Sequence, residues 1–270
     1  MTMRSLLTIL AIAAVSLGIS AQDADSVRRV IDSMPSFGIY RDNYFTLGTS
    51  IGPKITRENS DVKFQFSIRQ RLTNSVLPFH SYLFLFYTQK TLWNVFEESF
   101  PMHDVNFNPG IGWTRMIIED GRVVGNATLL VEHESNGKDG EDSRSWNKIG
   151  ISANYFIHPT LMIHGKVFIP IIDGDNNSDI LDYSGCVQFG IQKIPLHKRW
   201  VCNLTLVKRK GLNLNFNTIV EFGLHLTKDA NQYLFAQYYN GYGESLLDYN
   251  QFHSRFRIGL LIRPKFFSDF

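Results

Sequence analysis

Residues 125–157, GNATLLVEHESNGKDGEDSRSWNKIGISANYFI, decide the fold. Gly125–Val131 reads as one β-strand and Lys148–Ile157 as another, joined by a polar stretch centred on Gly140. Folding the two into a hairpin about Gly140 sets His133 opposite Asn147, both equidistant from the tip. Directly opposed residues of an antiparallel pair lie about 4.5–5.5 Å apart, close enough for their side chains to meet. Ser135 stands two residues beyond His133, and a strand returns to the same face every second residue. A hydroxyl, an imidazole and a carboxamide therefore fall in one row.

That row ends an apolar face. Its same-face neighbours are Ala127, Leu129 and Val131 on the first strand and Ile149, Ile151, Ala153, Tyr155 and Ile157 on the second. The opposite face carries Thr128, Glu132, Lys148, Ser152 and Asn154. In a water-soluble sandwich the apolar face would be the core. In a membrane barrel it would face lipid, and reactive groups at its rim would meet lipid.

Composition narrows the choice. A net charge of +2 gives no electrostatic case for nucleic acid. The 21 Phe and 11 Tyr suit a β protein with aromatic girdles. A mean hydropathy of −0.12 argues against a bundle of membrane helices but not against a barrel, whose strands alternate apolar and polar residues. Residues 1–21 read as a secretory signal peptide: Arg4, the apolar run Leu6–Leu17, then Ile19-Ser20-Ala21 before the expected cleavage. Cys186 and Cys202 fall on opposite strand faces by parity, which argues against a disulfide, and neither has metal-ligand spacing.

Residues 22–38 form a polar lead in which Val27, Val30, Ile31 and Met34 have helical spacing. It is expected to lie against the domain that follows as a loose segment or a short amphipathic turn. From residue 39 to 270 the chain reads as one strand after another. Val62–Arg69 alternates without a break, and a second alternating series runs from Leu212 through Leu226. The predicted strands are 39–52, 61–72, 81–91, 105–117, 125–135, 143–157, 160–171, 182–194, 200–209, 211–227, 231–241 and 252–263. They number twelve, an even count that fits a single-chain antiparallel transmembrane β-barrel. Inward parity collects Lys63, Arg69, Arg71, Lys166, Glu221, His225, Arg255 and Arg257, which predicts a lumen filled by opposite charges rather than a wide pore. Phe270, after the alternating Phe256, Ile258, Leu260 and Ile262, looks like the terminal aromatic read by outer-membrane assembly machinery.

With barrel and hairpin in place, the chain closely resembles bacterial outer-membrane phospholipase A. The resemblance is carried by Asp42-Asn43-Tyr44, Val62–Ser67, Tyr87–Lys90, Glu97-Glu98-Ser99 with Pro101, Asn106-Phe107-Asn108-Pro109, HESNG at 133–137, SRSWN at 143–147 and GYGESLLDYN at 241–250. It implies a twelve-stranded barrel in the outer membrane. It also implies calcium-dependent hydrolysis of phospholipid acyl esters, including lysophospholipids, at a triad on the outer surface of the barrel. A non-catalytic channel or lipid-transport barrel would explain the strands and the signal peptide but gives HESNG and SRSWN nothing to do. An acyl hydrolase of lipid A would share the serine chemistry.

The roles follow from the chemistry. Ser135 is the candidate nucleophile, whose hydroxyl needs an adjacent base. His133 is that base, and Asn147 accepts a hydrogen bond from its other ring nitrogen, fixing tautomer and orientation. The backbone N–H groups of Ser135 and Gly137 are the candidate oxyanion hole. The resemblance further implies a calcium ion held by Ser143, the Lys138 backbone carbonyl and Ser99 of a second subunit. It implies a homodimer with Gln89 at the interface, where the residues alone would equally allow a lumen Gln. Asp139, Glu141 and Asp142 make the loop acidic, which fits calcium attraction and a plain solvated loop alike. Asp175 and Asp179 read either as a weak second calcium site or as an ordinary polar turn. Residues 241–250 read as a structural turn, with Glu244 and Asp248 held by interior arginines.

Overall fold

The computed structural model describes residues 23–172, 175–227 and 231–264; the expected signal peptide and the terminal Phe270 lie outside them. The strands are β1 Phe37–Ile39, β2 Asn43–Ser50, β3 Ser60–Arg71, β4 Tyr82–Trp93, β5 Met102–Glu119, β6 Arg122–Ser135, β7 Ser145–His158, β8 Leu161–Ile171, β9 Val187–Lys193, β10 Trp200–Lys208, β11 Phe216–His225, β12 Gln232–Gly241 and β13 His253–Ile262. From β3 onward each pairs antiparallel with the next, and β13 returns to pair with β2, closing the sheet. β1 and β2 both pair with β3, so they are two pieces of one stave and the barrel has twelve. Closure leaves no edge whose backbone groups lipid would fail to satisfy.

The alternation sorts the faces inside out relative to a soluble protein. Along β6, Leu129 and Val131 are 44% and 48% exposed, whereas Leu130 and Glu132 between them are 1% and 2% exposed. The apolar parity thus forms the outer surface and the polar parity the interior. The lumen is filled by paired charges, as the mixed signs predicted. Arg257 is shared between Asp61 and Glu244 at 2.6–2.8 Å, Lys63 reaches Glu244 at 3.0 Å, and Lys166 and Arg41 converge on Glu132. What remains open inside includes two polar cavities of about 240 and 170 Å³.

The strand boundaries differ from expectation where long-range contacts override alternation. The first stave breaks at residues 40–42 because Tyr40 turns inward to stack on Phe86, with ring centroids 4.4 Å apart. The Ser67 N–H then donates to the Asn43 side chain at 2.6 Å and the Ser67 hydroxyl accepts from the Arg41 N–H at 3.2 Å. Residues 182–184, expected to begin the 182–194 strand, instead lie in a short helix, Ile180–Ser184, whose Ile180 is wholly buried against Trp146, Leu246 and Tyr249. The strand expected from 211 starts at Phe216 instead. Lys208 gathers the Arg209 and Gly211 carbonyls and the Asn215 side chain into a closed loop, leaving Leu212 and Leu214 fully exposed. The strand expected from 143 starts at Ser145.

The lead is a defined element. Residues 23–33 are helical, and Ile31 buries among Tyr40, Tyr82, Phe84 and Leu130. Arg71 grips the end of the helix by donating to the Ile31, Asp32 and Met34 carbonyls, the last two at 2.7 and 3.1 Å, as expected of a cation at a helix C-terminus. The helix packs at the end of the barrel away from the 125–157 hairpin loop. The other end carries the connections 51–59, 94–101, 136–144, 172–186, 209–215 and 242–252, longer on average than those at the helix end, where only 72–81 is of comparable length.

Candidate active site

The site is the hairpin of β6 and β7. Its register pairs His133 with Asn147 and Ser135 with Ser145, and the loop between closes over Gly140. His133 Nδ1 lies 2.9 Å from Asn147 Oδ1. Because a carboxamide oxygen only accepts, Nδ1 carries the proton, which leaves Nε2 free to act as a base. Ser135 follows on the same, outward face, at the rim of the apolar surface formed by Leu129, Val131, Ile149 and Ile151. Serine, histidine and asparagine are thus aligned at the strand ends.

Gly137 is required where it stands. Its φ is +64°, and an added Cβ would lie 2.9 Å from Phe107 Cε2. A side chain would meet both a left-handed backbone penalty and a clash. The next residues turn about Asn136, which is buried and holds the loop from its centre. Its side-chain oxygen accepts from the Arg144 N–H at 2.9 Å and its amide donates to the Asp142 carbonyl at 2.9 Å. Lys138 extends to the His103 carbonyl at 3.1 Å, tying this loop to the start of β5. The 3-10 turn Gly140–Asp142 leads into Ser143.

Three supports behind the row escaped the sequence reading. Register places Pro109 opposite His133, since Phe107 pairs with Ser135 and Gly110 with Glu132. A proline has no N–H to give the facing strand. The carboxamide of Asn108 supplies a donor instead, bonding the His133 carbonyl at 2.8 Å. The dipeptide Asn108-Pro109 inside an alternating run was the available signal. On the lumen side, Glu134 accepts from Trp146 Nε1 at 2.9 Å and Lys148 Nζ at 2.5 Å, locking β6 to β7 beneath the row. Beneath them the 242–252 loop folds into the barrel mouth, where Asp104 accepts from the Leu246 and Leu247 N–H groups at 3.0 Å.

The remaining expected residues fall as follows. Ser99 is exposed in the 94–101 loop with φ +66°, at the same barrel end as Ser143 and Lys138. Gln89 is on the outer face of β4, accepting from Tyr87 OH at 3.0 Å and donating to Thr91 Oγ1 at 3.3 Å, so it is not a lumen residue. Glu244 is held by Arg257 and Lys63 as expected, but Asp248 is not held by an arginine: its carboxylate pairs with His103, which keeps its pKa below the ordinary value. Asp179 accepts from Tyr249 OH, a structural use of that carboxylate.

Among the described residues no trio of His, Cys, Asp or Glu is placed to hold a metal. The expected calcium donors are a hydroxyl and a carbonyl in a loop bearing Glu141 and Asp142. Such an all-oxygen set suits a hard cation completed by water and a further hydroxyl.

Comparison with known proteins agrees with this geometry. The family model described as Phospholipase A1 matches residues 36–262. The phospholipase A1 of Escherichia coli K12 is 31% identical over 222 residues, covering 76% of this chain and 71% of that protein. That of Klebsiella pneumoniae is 29% identical over 224 residues, with the same coverage of 76% and 71%. Among solved structures, outer membrane phospholipase A from Escherichia coli superposes with TM-score 0.73 at 25% identity, covering 86% of this chain and all of that one. A Salmonella typhi outer membrane phospholipase dimer with bound calcium gives TM-score 0.74 at 25% identity, covering 87% and 95%. Outward-facing serine and histidine on a closed twelve-stave barrel, matched over most of its length, leave one assignment: the chain belongs to the phospholipase A1 family of outer-membrane barrels.

Proposed function

We propose that this protein is a calcium-dependent outer-membrane phospholipase that hydrolyses acyl esters of glycerophospholipids, at both acyl positions and in lysophospholipids, as a homodimer. The observation that carries the reading is the 2.9 Å contact of His133 Nδ1 with Asn147 Oδ1, beside Ser135, on the apolar outer face. The longer loops of outer-membrane barrels face the cell exterior, so a row at that end meets the outer leaflet. The alternative of a transport barrel would leave this aligned row without a use.

Ser135 Oγ attacks the ester carbonyl carbon while its proton passes to His133 Nε2. Negative charge forms on the carbonyl oxygen, and the N–H groups of Ser135 and Gly137 are the donors for it. Collapse breaks the bond to the glycerol oxygen, which takes the proton from His133 and leaves as lysophospholipid. Water, deprotonated by His133, then cleaves the acyl-serine and frees the fatty acid. Asn147 has no charge with which to stabilise imidazolium, so it acts by fixing ring orientation. An alkoxide leaves more readily than an amine, so the weaker helper suffices. Ser143, the Lys138 carbonyl and Ser99 of the partner subunit would hold calcium, which when bound adds positive charge beside the oxyanion donors. Gln89, a polar group on a lipid-facing surface, would pair across the two-fold axis.

The test is hydrolysis of phospholipid in mixed micelles by wild type and Ser135→Ala. The variant is expected to fold and to lose at least about 10⁴-fold in turnover. Near-normal turnover by the variant would overturn the assignment.

A further inference from the structure

The two polar cavities of the lumen share a wall. Lys90 of β4, Gln188 of β9 and Ser184, at the end of the short helix, line both the larger cavity of about 240 Å³ and the smaller of about 170 Å³. The closed sheet separates this space from lipid, so whatever fills it comes from water.

The other lysines around these cavities each hold a carboxylate. Lys63 holds Glu244 at 3.0 Å, Lys148 holds Glu134 at 2.5 Å, and Lys166 holds Glu132. Lys90 differs: among the described residues its ammonium makes no hydrogen bond and no ion pair. The carboxylates whose charge reaches it, Glu134, Glu244 and Asp104, act through space and are committed elsewhere. Glu134 accepts from Trp146 and Lys148, Glu244 from Lys63 and Arg257, and Asp104 from the Leu246 and Leu247 N–H groups. The side chains of Gln188 and Ser184 are likewise without a hydrogen bond among the described residues. An ammonium withdrawn from bulk water keeps its charge only where solvent or a counter-charge meets it.

We propose that the lumen binds a small tetrahedral oxyanion of the phosphate or sulfate class where the two cavities meet, with Lys90 as its counter-charge and Gln188 and Ser184 as neutral donors. Ammonium, carboxamide and hydroxyl all donate, and an ion with several oxygens accepts from all of them at once. Charge-assisted bonds of this kind are shorter and stronger than neutral ones. The smaller cavity has room for several waters at about 30 Å³ each, and so for such an ion with part of its hydration. Water alone would satisfy the dipoles and leave the charge unmatched. The occupant would also join the roof loops, since Ser184 and Gly185 of one and Gly243 and Ser245 of the other line the smaller cavity. The site lies inside the barrel and the serine row outside it, so the proposal does not rest on Ser135 being the nucleophile.

The experiment is equilibrium dialysis of radiolabelled inorganic phosphate against wild type, Ser135→Ala, Lys90→Met and Lys90→Gln. Full-length protein is refolded in a sugar-headed detergent with chelator, so neither calcium nor lipid phosphate competes. The label is present during refolding, so that a slowly exchanging site is filled. Folded barrel is quantified by its altered mobility on unheated gels. Wild type and Ser135→Ala are expected to bind about one phosphate per folded barrel, displaced by sulfate and not by the same concentration of chloride. Both Lys90 variants are expected to bind at least about tenfold more weakly, as loss of one charge-assisted contact implies. No phosphate on folded wild type would overturn the proposal and leave water as the filling. Equal binding by wild type and a folded Lys90 variant would overturn it as well, assigning the phosphate to the outer surface. The wild-type arms decide even where neither Lys90 variant folds: displacement by chloride as readily as by sulfate would overturn the oxyanion site.

Discussion

His133 and Asn147 are cross-strand partners in register, and their side chains meet at 2.9 Å. The contact needs no loop closure beyond the hairpin that makes both strands, so orientation of the base is built into the local fold. The supports around it act from the other sides. Asn108 fixes the His133 carbonyl from β5, and Glu134 with Lys148 locks the strands from the lumen.

Removing the orienter tests that relationship. Asn147→Ala leaves the ring free to adopt the wrong tautomer or rotamer. It is expected to lower kcat on the order of 10²-fold or more while KM changes little. Asn147→Asp should keep much of the activity, since a carboxylate oxygen can accept the same hydrogen bond. Steady-state kinetics in mixed micelles decides: full turnover in Asn147→Ala would mean another group orients His133.

Gly137 offers a separate handle on the oxyanion donors. With φ +64° and Phe107 Cε2 2.9 Å from a built Cβ, Gly137→Ala must strain the turn or move it. The left-handed conformation alone costs about 1–2 kcal/mol for a residue with a side chain. The barrel, held by its twelve staves, should absorb this. The N–H beside Ser135 would shift, and loss of one such donor lowers kcat by about 10²–10³-fold. Unchanged kcat in the folded variant would remove Gly137 from the oxyanion hole.

The Glu134–Lys148 pair should behave as a buried ion pair does. Lys148 Nζ sits 2.5 Å from Glu134 and 4.6 Å from the centre of the Trp146 ring. Glu134→Leu strands the ammonium, at a cost of about 3 kcal/mol. In Glu134→Leu with Lys148→Met both charges are gone, and stability should return to within about 1 kcal/mol of wild type. Urea unfolding from lipid vesicles, followed by tryptophan fluorescence, gives both numbers. Equal stability of the single variant and wild type would show that the pair contributes nothing to the hairpin.

The parts of this design that were legible in the sequence are those set by a period of two. Alternation assigned Leu129 and Val131 outward and Glu132 inward, and symmetry about Gly140 set His133 against Asn147. The parts that were not legible depend on partners far along the chain. Residues 180–184 are helical because Ile180 meets Trp146, Leu246 and Tyr249, none of which is near in sequence. Leu212 and Leu214 continue an alternating pattern, yet Lys208 and Asn215 close that stretch into a loop. Asp248 pairs with His103, 145 residues away, where the sequence suggests interior arginines. Asn108 acts through a backbone group of another strand, and no spacing rule points from it to its target.

Calcium and the second subunit should prove to be linked. Ser143 and the Lys138 carbonyl lie on the hairpin loop, whereas Ser99 is exposed on the 94–101 loop with an unfavourable positive φ. Exposure suits a group offered to a neighbour. If Ser99 of the partner subunit completes the set, the ion binds the dimer better than the monomer and favours it by mass action. A monomer would keep the contact of His133 with Asn147, because the hairpin alone builds it, but would lack the added charge beside the oxyanion donors. Activity should therefore rise with the dimer fraction across a calcium titration in detergent, followed by sedimentation and by hydrolysis in the same samples. Ser143→Ala should move both curves to higher calcium together, by about tenfold if one charge-assisted contact of roughly 1.5 kcal/mol is lost. Ser99→Ala should do the same, although Ser99 lies on a different loop. Full activity in chelator from protein that sediments as a monomer would break the link between metal, dimer and turnover, and would leave the chemistry of Ser135 and His133 untouched.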